Sequence, residues 1–195
     1  MKKRKEITIS ECYENKDSCN IYIYNIGKAM EKIIEIIKEF ANEEEFFIGH
    51  FRTDGVNLKE KEFVSFSKEI PEYYKINGRY ELLNVKIEKK SKIKVYNNYL
   101  AVGSLPVNNA TFEILPKLFN FYLDTILFCP KVKWKEFVQS YSNYINRGAS
   151  NYIMNGATDF LFCYHDSGDL LITFNSKIYN KKIVYEKIIK IVKST

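Results

Sequence analysis

Histidine, cysteine and tryptophan are scarce in this chain: two, four and one in 195 residues. The four cysteines, Cys12, Cys19, Cys129 and Cys163, stand far apart with no CxxC spacing. That excludes a zinc-ribbon or thioredoxin-type motif and leads us to expect reduced thiols. No uninterrupted apolar run approaches the roughly 20 residues that span a bilayer, and Phe119 to Cys129, the nearest, contains Asn120, Asp124 and Thr125. The basic start MKKRKEITISECY alternates polar and apolar residues and lacks the apolar core of a secretory signal. No membrane association is expected, and the compartment is read as cytoplasm. Walker A, GxGxxG, GxSxG and HExxH patterns are all missing, as are internal repeats and low-complexity linkers.

What is present is core material. Hydrophobic residues make up 46% of the chain and aromatics 15%, mainly 15 Tyr and 14 Phe. A disordered chain is thereby excluded, and the length suits one domain over residues 1–195. The net charge of +6 is unevenly spread: residues 26–85 carry 9 basic against 12 acidic side chains, residues 86–195 carry 16 against 8. A basic half fits nucleic acid, an acidic protein or a solvated surface, since net charge bears on association and solubility rather than on fold.

Alternation over Glu6 to Tyr13, and β-branched and aromatic residues over Ile21 to Tyr24, predict strands, joined by the polar segment Glu14 to Asn20. Ile26, Ala29, Met30, Ile33, Ile37, Phe40 and Ala41 recur at helical spacing behind a capping Asn25. From Phe46 to Gly103 the pattern returns toward period two, with strands expected at Phe46 to Phe51, Glu62 to Phe66, Arg79 to Glu88, Lys92 to Tyr96 and Tyr99 to Val102. Asn97-Asn98 fits a two-residue turn, so this region reads as an antiparallel meander. Two helices should follow. One has Pro116 near its first turn and Leu118, Phe119, Tyr122 and Ile126 inward; the other buries Trp134, Phe137, Val138, Tyr141, Tyr144 and Ile145. Cys129-Pro130 separates them, and Asn146 to Ala157 has the composition of a loop.

The clearest feature is DFLFCYHDSGDLLITF, Asp159 to Phe174. Asp166-Ser167-Gly168 fits a three-residue hairpin loop with Gly168 in the left-handed region. That register opposes His165 to Asp169, Tyr164 to Leu170, Phe162 to Ile172 and Phe160 to Phe174, leaving both strands apolar on both faces. A last helix, capped by Asn180, carries Ile183, Val184, Ile188, Ile189, Ile191 and Val192. The expected class is α+β: a mainly antiparallel sheet, meander plus C-terminal hairpin, packed with about four helices.

Both histidines sit beside acidic or turn residues, His50 in GHFRTDG and His165 in YHDSGD. A metal site or acid–base pair would require His50, His165, Asp54, Asp166 and Asp169 to converge. The plainer account pairs His165 with Asp169 across a hairpin end and leaves Asp54 as a turn residue. His165-Asp166 is also the dipeptide of the HD phosphohydrolases, whose ligands lie on helices, whereas here it falls on a strand. Cys163 and His165 share a strand face two residues apart, a span of roughly 7 Å that suits a buried, inert thiol.

Arg52 followed by Ser65-Phe66-Ser67 resembles the first two elements of the ADP-ribosyltransferase pattern. The resemblance implies that Arg52, Ser65 and Ser67 would hold NAD. Its third element, a later glutamate, is met only by the isolated Glu81, Glu88 and Glu113, because Glu60-Lys61-Glu62 precedes the serines. Lysines 86, 89, 90, 92 and 94 near Tyr96 and Tyr99, and lysines 131, 133 and 135 around Trp134, could meet phosphate and stack bases. No recognised nucleic-acid motif accompanies them. With no assembled catalytic set, no cofactor and no metal expected, the leading expectation is a non-enzymatic, macromolecule-binding protein of immunity or antitoxin type that neutralises a partner effector. The alternatives are a small enzyme acting on NAD or phosphodiesters through Arg52, Ser65, Ser67, His50 or His165, and a basic nucleic-acid-binding module.

Overall fold

The computed structural model describes residues 6–41, 43–52, 74, 78–87, 96–121, 124–144, 156–165 and 167–194. Among the described residues, nine strands form one antiparallel sheet: β1 (Thr8–Ile9), β2 (Tyr13–Asn15), β3 (Ser18–Tyr24), β4 (Glu45–Arg52), β5 (Arg79–Ile87), β6 (Tyr96–Pro106), β7 (Asp124–Pro130), β8 (Thr158–His165) and β9 (Leu170–Asn175). Their spatial order is β1-β3-β9-β8-β7-β4-β6-β5, with β2 also paired to β3. Among the described residues there are four α-helices, α1 (Met30–Phe40), α2 (Asn109–Phe121), α3 (Trp134–Tyr144) and α4 (Lys181–Lys193). The α+β class is as expected, and no helix among the described residues is long and apolar enough to cross a membrane.

The register sorts every strand residue onto one of two faces, because neighbours along a strand point to opposite sides. On the first face, Cys19, Ile21 and Ile23 of β3 continue through Phe174, Ile172 and Leu170, then Phe160, Phe162 and Tyr164, and then Cys129, Leu127 and Thr125. Helices α1, α2 and α4 cover this face with Ile33, Ile36, Ile37, Phe40, Leu115, Leu118, Phe119, Val184 and Ile188. On the second face, Trp134, Phe137 and Tyr141 of α3 pack on Phe47, Val102, Phe128 and Leu161. Strands buried on both sides read as continuous apolar runs, which is why β8 is buried from Thr158 to Tyr164.

Several elements differ from expectation for identifiable reasons. Glu14 to Asn20 is a hairpin rather than a joining segment: Asn15 pairs with Ser18 around Lys16 and Asp17, with Lys16 at φ 53°. Asn25 does not cap α1; it lies in the left-handed region at φ 60°, a 3-10 turn (Ile26–Lys28) intervenes, and Ala29 takes the cap position. Asn97 and Asn98 form no turn but pair with Lys86 and Val85 inside β6. The meander is also corrected, since β4 lies between β6 and β7. Pro116 sits in the interior of α2, whose first turn starts much earlier, where Asn108 Oδ1 accepts from the Thr111 N–H at 2.9 Å. Ile126 is in a strand, β7, and the Cys129-Pro130 step ends that strand. The expected strand Glu62 to Phe66 lies outside the described residues.

The closing hairpin has the expected register, Gly168 at φ 82°, and Asn180 Oδ1 accepts from the N–H groups of Lys182 and Ile183 at the start of α4. Cys12, just before β2, and Cys19 of β3 are paired as a disulfide, Cα atoms 6.2 Å apart, which corrects the expectation of four reduced thiols. Cys129 and Cys163 are buried.

Two glycines set how closely aromatic rings approach the sheet. A Cβ on Gly49 of β4 would fall 2.5 Å from Tyr141 Cζ, and one on Gly103 of β6 would fall 2.5 Å from Tyr74 Cζ on the other face. Gly49→Ala should therefore destabilise the fold by about 1–3 kcal/mol through overpacking. The readout is the chemical-denaturation midpoint, and an unchanged midpoint would mean that Tyr141 has room to retreat.

Candidate functional site

The two histidines do not converge. His50 of β4 pairs with Thr125 of β7, and Thr125 with Tyr164 of β8, which puts His50 on the first face; His165 belongs to the second. His50 is fully buried, with Nε2 2.5 Å from Tyr74 Oη and Nδ1 3.4 Å from Thr125 Oγ1. Burial pushes its pKa down to about 3, so it is a neutral core residue at ordinary pH. A joint metal site or acid–base pair from His50 and His165 is excluded by the sheet between them. Arg52 is the last residue of β4, opposite Tyr99. Ser65, Ser67, Asp54, Asp166, Glu60, Glu62 and Glu88 lie outside the described residues. Of the isolated glutamates, Glu81 accepts a hydrogen bond from Trp134 Nε1 at 3.0 Å, and Glu113 is exposed on α2. Trp134 is buried in the α3 interface and Lys131 pairs with Asp159, so this part of the basic stretch offers no base-stacking platform.

His165 closes the hairpin through its backbone, its N–H bonding to Asp169 O at 3.0 Å and its O accepting from Gly168 N–H at 2.9 Å. Its side chain does not pair with Asp169, as expected from the hairpin alone, but with Asp124 of the next strand: Nδ1 to Oδ1 is 2.7 Å. Asp169 is occupied elsewhere, accepting from the Asn25 N–H at 2.8 Å and from Ser167 Oγ at 2.9 Å. Cys163 Sγ lies 4.0 Å from the same Nδ1, nearer than the extended-strand span suggested. Asp124 pairs with His165 and Ile126 with Cys163 in the β7–β8 register, so the three groups occupy one corner of the second face.

The hydrogen bond to Asp124 is the main cause that lifts the His165 pKa, to about 10, with Cys163 contributing. Burial raises the Cys163 thiol, partly offset by His165. A nucleophile–base–orienter triad needs the base nitrogen facing the nucleophile and the other nitrogen facing the carboxylate. Here both neighbours approach Nδ1, and the thiol is pushed away from the thiolate form, so this constellation is not built for cysteine nucleophile chemistry.

Farther along the same face is an aromatic surface. Tyr22 and Tyr24 of β3 are 37% and 41% exposed, with stacked rings 6.1 Å apart, and Tyr13 of β2 is 69% exposed. Tyr13 lies opposite Asn20, two residues before Tyr22, so all three point to the second face. Tyr22 is in register with Leu171, and Leu171 with Cys163, which places the tyrosines two strands from the Asp124–Cys163–His165 corner. The strand Ile21 to Tyr24 was legible in the sequence, but which of its residues remain exposed was not. Comparisons of this chain with known protein families, curated proteins and solved structures find no match.

Proposed function

We propose that this is a non-enzymatic binder of another protein, of the immunity or antitoxin type that neutralises a partner effector, and that Tyr13, Tyr22 and Tyr24 form its docking surface. The observation that carries the reading is the exposure of these three rings on one sheet face. Tyrosine supplies large contact area and a polar hydroxyl at low conformational cost, which is why it is enriched at interfaces and among their hot spots. The rings stand on strands tied into a nine-stranded sheet, so little ordering remains to be done on binding. The basic C-terminal half would add electrostatic steering toward an acidic partner.

The test is titration calorimetry against the product of the adjacent gene. The expected result is a 1:1 complex whose Kd rises at least about a hundredfold in the Tyr22→Ala/Tyr24→Ala double variant, since each hot spot is worth about 2 kcal/mol. No complex, or one indifferent to the substitutions, overturns the reading. Tight, steeply salt-dependent binding of single-stranded oligonucleotides that those substitutions abolish would reassign the rings to base stacking.

A further inference from the structure

Asp124, Cys163 and His165 bring an oxygen, a sulfur and a nitrogen donor within 4.8 Å of one another. They are held by two neighbouring strands in the interior of the sheet, in register rows two apart and therefore on one face, so their spacing is set by backbone pairing rather than by a loop. Tetrahedral coordination by thiolate, imidazole and carboxylate, with bonds of about 2.0–2.3 Å, separates donors by roughly 3.3–3.6 Å. The Nδ1–Oδ1 distance of 2.7 Å and the Sγ–Nδ1 distance of 4.0 Å straddle that range. Side-chain rotations that lengthen the first and shorten the second would bring both to it.

We propose that Asp124 Oδ1, Cys163 Sγ and His165 Nδ1 form a binding site for a divalent cation of the zinc class, with the fourth coordination position open to solvent. The proposal is independent of the docking role of the tyrosines. On binding, the thiol and Nδ1–H each release a proton to solvent, and His165 keeps its proton on Nε2. One thiolate and one carboxylate then cancel the 2+ charge. Cys163 is 5% exposed, and a buried thiolate is costly unless a cation lies against it. The Asp124 and His165 side chains are 30% and 33% exposed, giving an ion its route in and leaving room for a water in the fourth position. A thiolate and an imidazole select against magnesium and calcium, which prefer all-oxygen sites.

The experiment is titration of the full chain with Co2+, followed optically, then competition with Zn2+. The expected result is one ion per chain, a thiolate-to-cobalt charge-transfer band in the near ultraviolet, visible bands of tetrahedral intensity, and loss of both when Zn2+ is added. Cys163→Ser should remove the charge-transfer band, while Cys129→Ser, at the other buried thiol, should keep it. Asp124→Asn is the second variant, chosen because the position is half-exposed and the amide oxygen still accepts from His165; it should weaken binding at least about tenfold with the far-ultraviolet circular dichroism unchanged. Lack of a charge-transfer band at stoichiometric Co2+, its survival in Cys163→Ser, or unchanged affinity in Asp124→Asn would each overturn the proposal.

Discussion

Phe160→Ala is expected to cost about 3–5 kcal/mol of unfolding free energy. Phe160 is fully buried near the start of β8, where β7 and β9 bond it on either side and Phe40 of α1 stacks on it. Its ring stacks on Phe40 at 4.9 Å and on Phe174 at 5.6 Å, meets Phe162 at 5.1 Å, and takes the edge of Tyr179 at 5.2 Å. These four neighbours come from a helix, two strands and the loop before α4, so they cannot all move inward to fill the space left by a phenyl group. The cavity penalty therefore adds to the lost transfer free energy. Against a typical total of roughly 5–15 kcal/mol, the loss is a large fraction of the whole. It should appear as a lower denaturant midpoint at unchanged slope. Ile183→Ala, at a position 54% exposed on α4, serves as the comparison and should stay within about 0.5 kcal/mol of the parent. A Phe160→Ala loss under about 1 kcal/mol would mean that this aromatic cluster does not close as described.

The hairpin holding Phe160 was readable because two local signals agreed: a glycine where the loop needs positive φ, and apolar runs of strand length on both sides. Register then followed by counting. The same counting fails at β7, where Phe119 to Cys129 is apolar at spacings compatible with a helix. The helix in fact ends at Phe121, because Asp124 to Pro130 completes the pairing of β4 and β8. A short apolar run is ambiguous between helix and strand until its neighbours are known. Asn97-Asn98 misleads for a related reason, since long-range pairing with β5 keeps both residues extended despite their turn propensity.

For the site, the sequence supplied candidate residues but not their parity. His50 and His165 each lie near acidic residues, yet the β4–β7–β8 register assigns them to opposite faces, and a shift of one residue in any of those pairings would have reversed the answer. Asp124 went unremarked as a partner because it is 41 residues from His165 and its segment read as helix. The one available signal was a lone acidic residue inside an apolar run. The exposed tyrosines were likewise hidden in a strand whose alternate residues are all apolar or aromatic, so period two alone could not say which face was covered.

The hidden parity of His50 leads to a second large effect, acid sensitivity from a single neutral residue. His50 has a folded pKa of about 3 against an ordinary value of 6.5, because full burial penalises its charged form. The unfolded chain therefore binds a proton at this position between those two values while the folded chain does not. Stability carried by neutral His50 is fully present above pH 6.5 and is lost as pH falls through the window toward 3. The limiting slope is about 1.4 kcal/mol per pH unit, and the accumulated loss by pH 3 is about 4 kcal/mol. Carboxylates titrate in the lower part of the same window, so the measurement is a difference: unfolding free energy at several pH values for the parent and for His50→Gln. Glutamine at position 50 cannot take up a proton in this range. The variant is expected to be less stable at pH 7, having lost the contacts to Tyr74 and Thr125, and to lose less stability on acidification, so that the two curves approach or cross between pH 6 and 4. Parallel curves would show that His50 is already protonated or solvated in the folded chain, and the burial assigned to the first face around it would then be wrong.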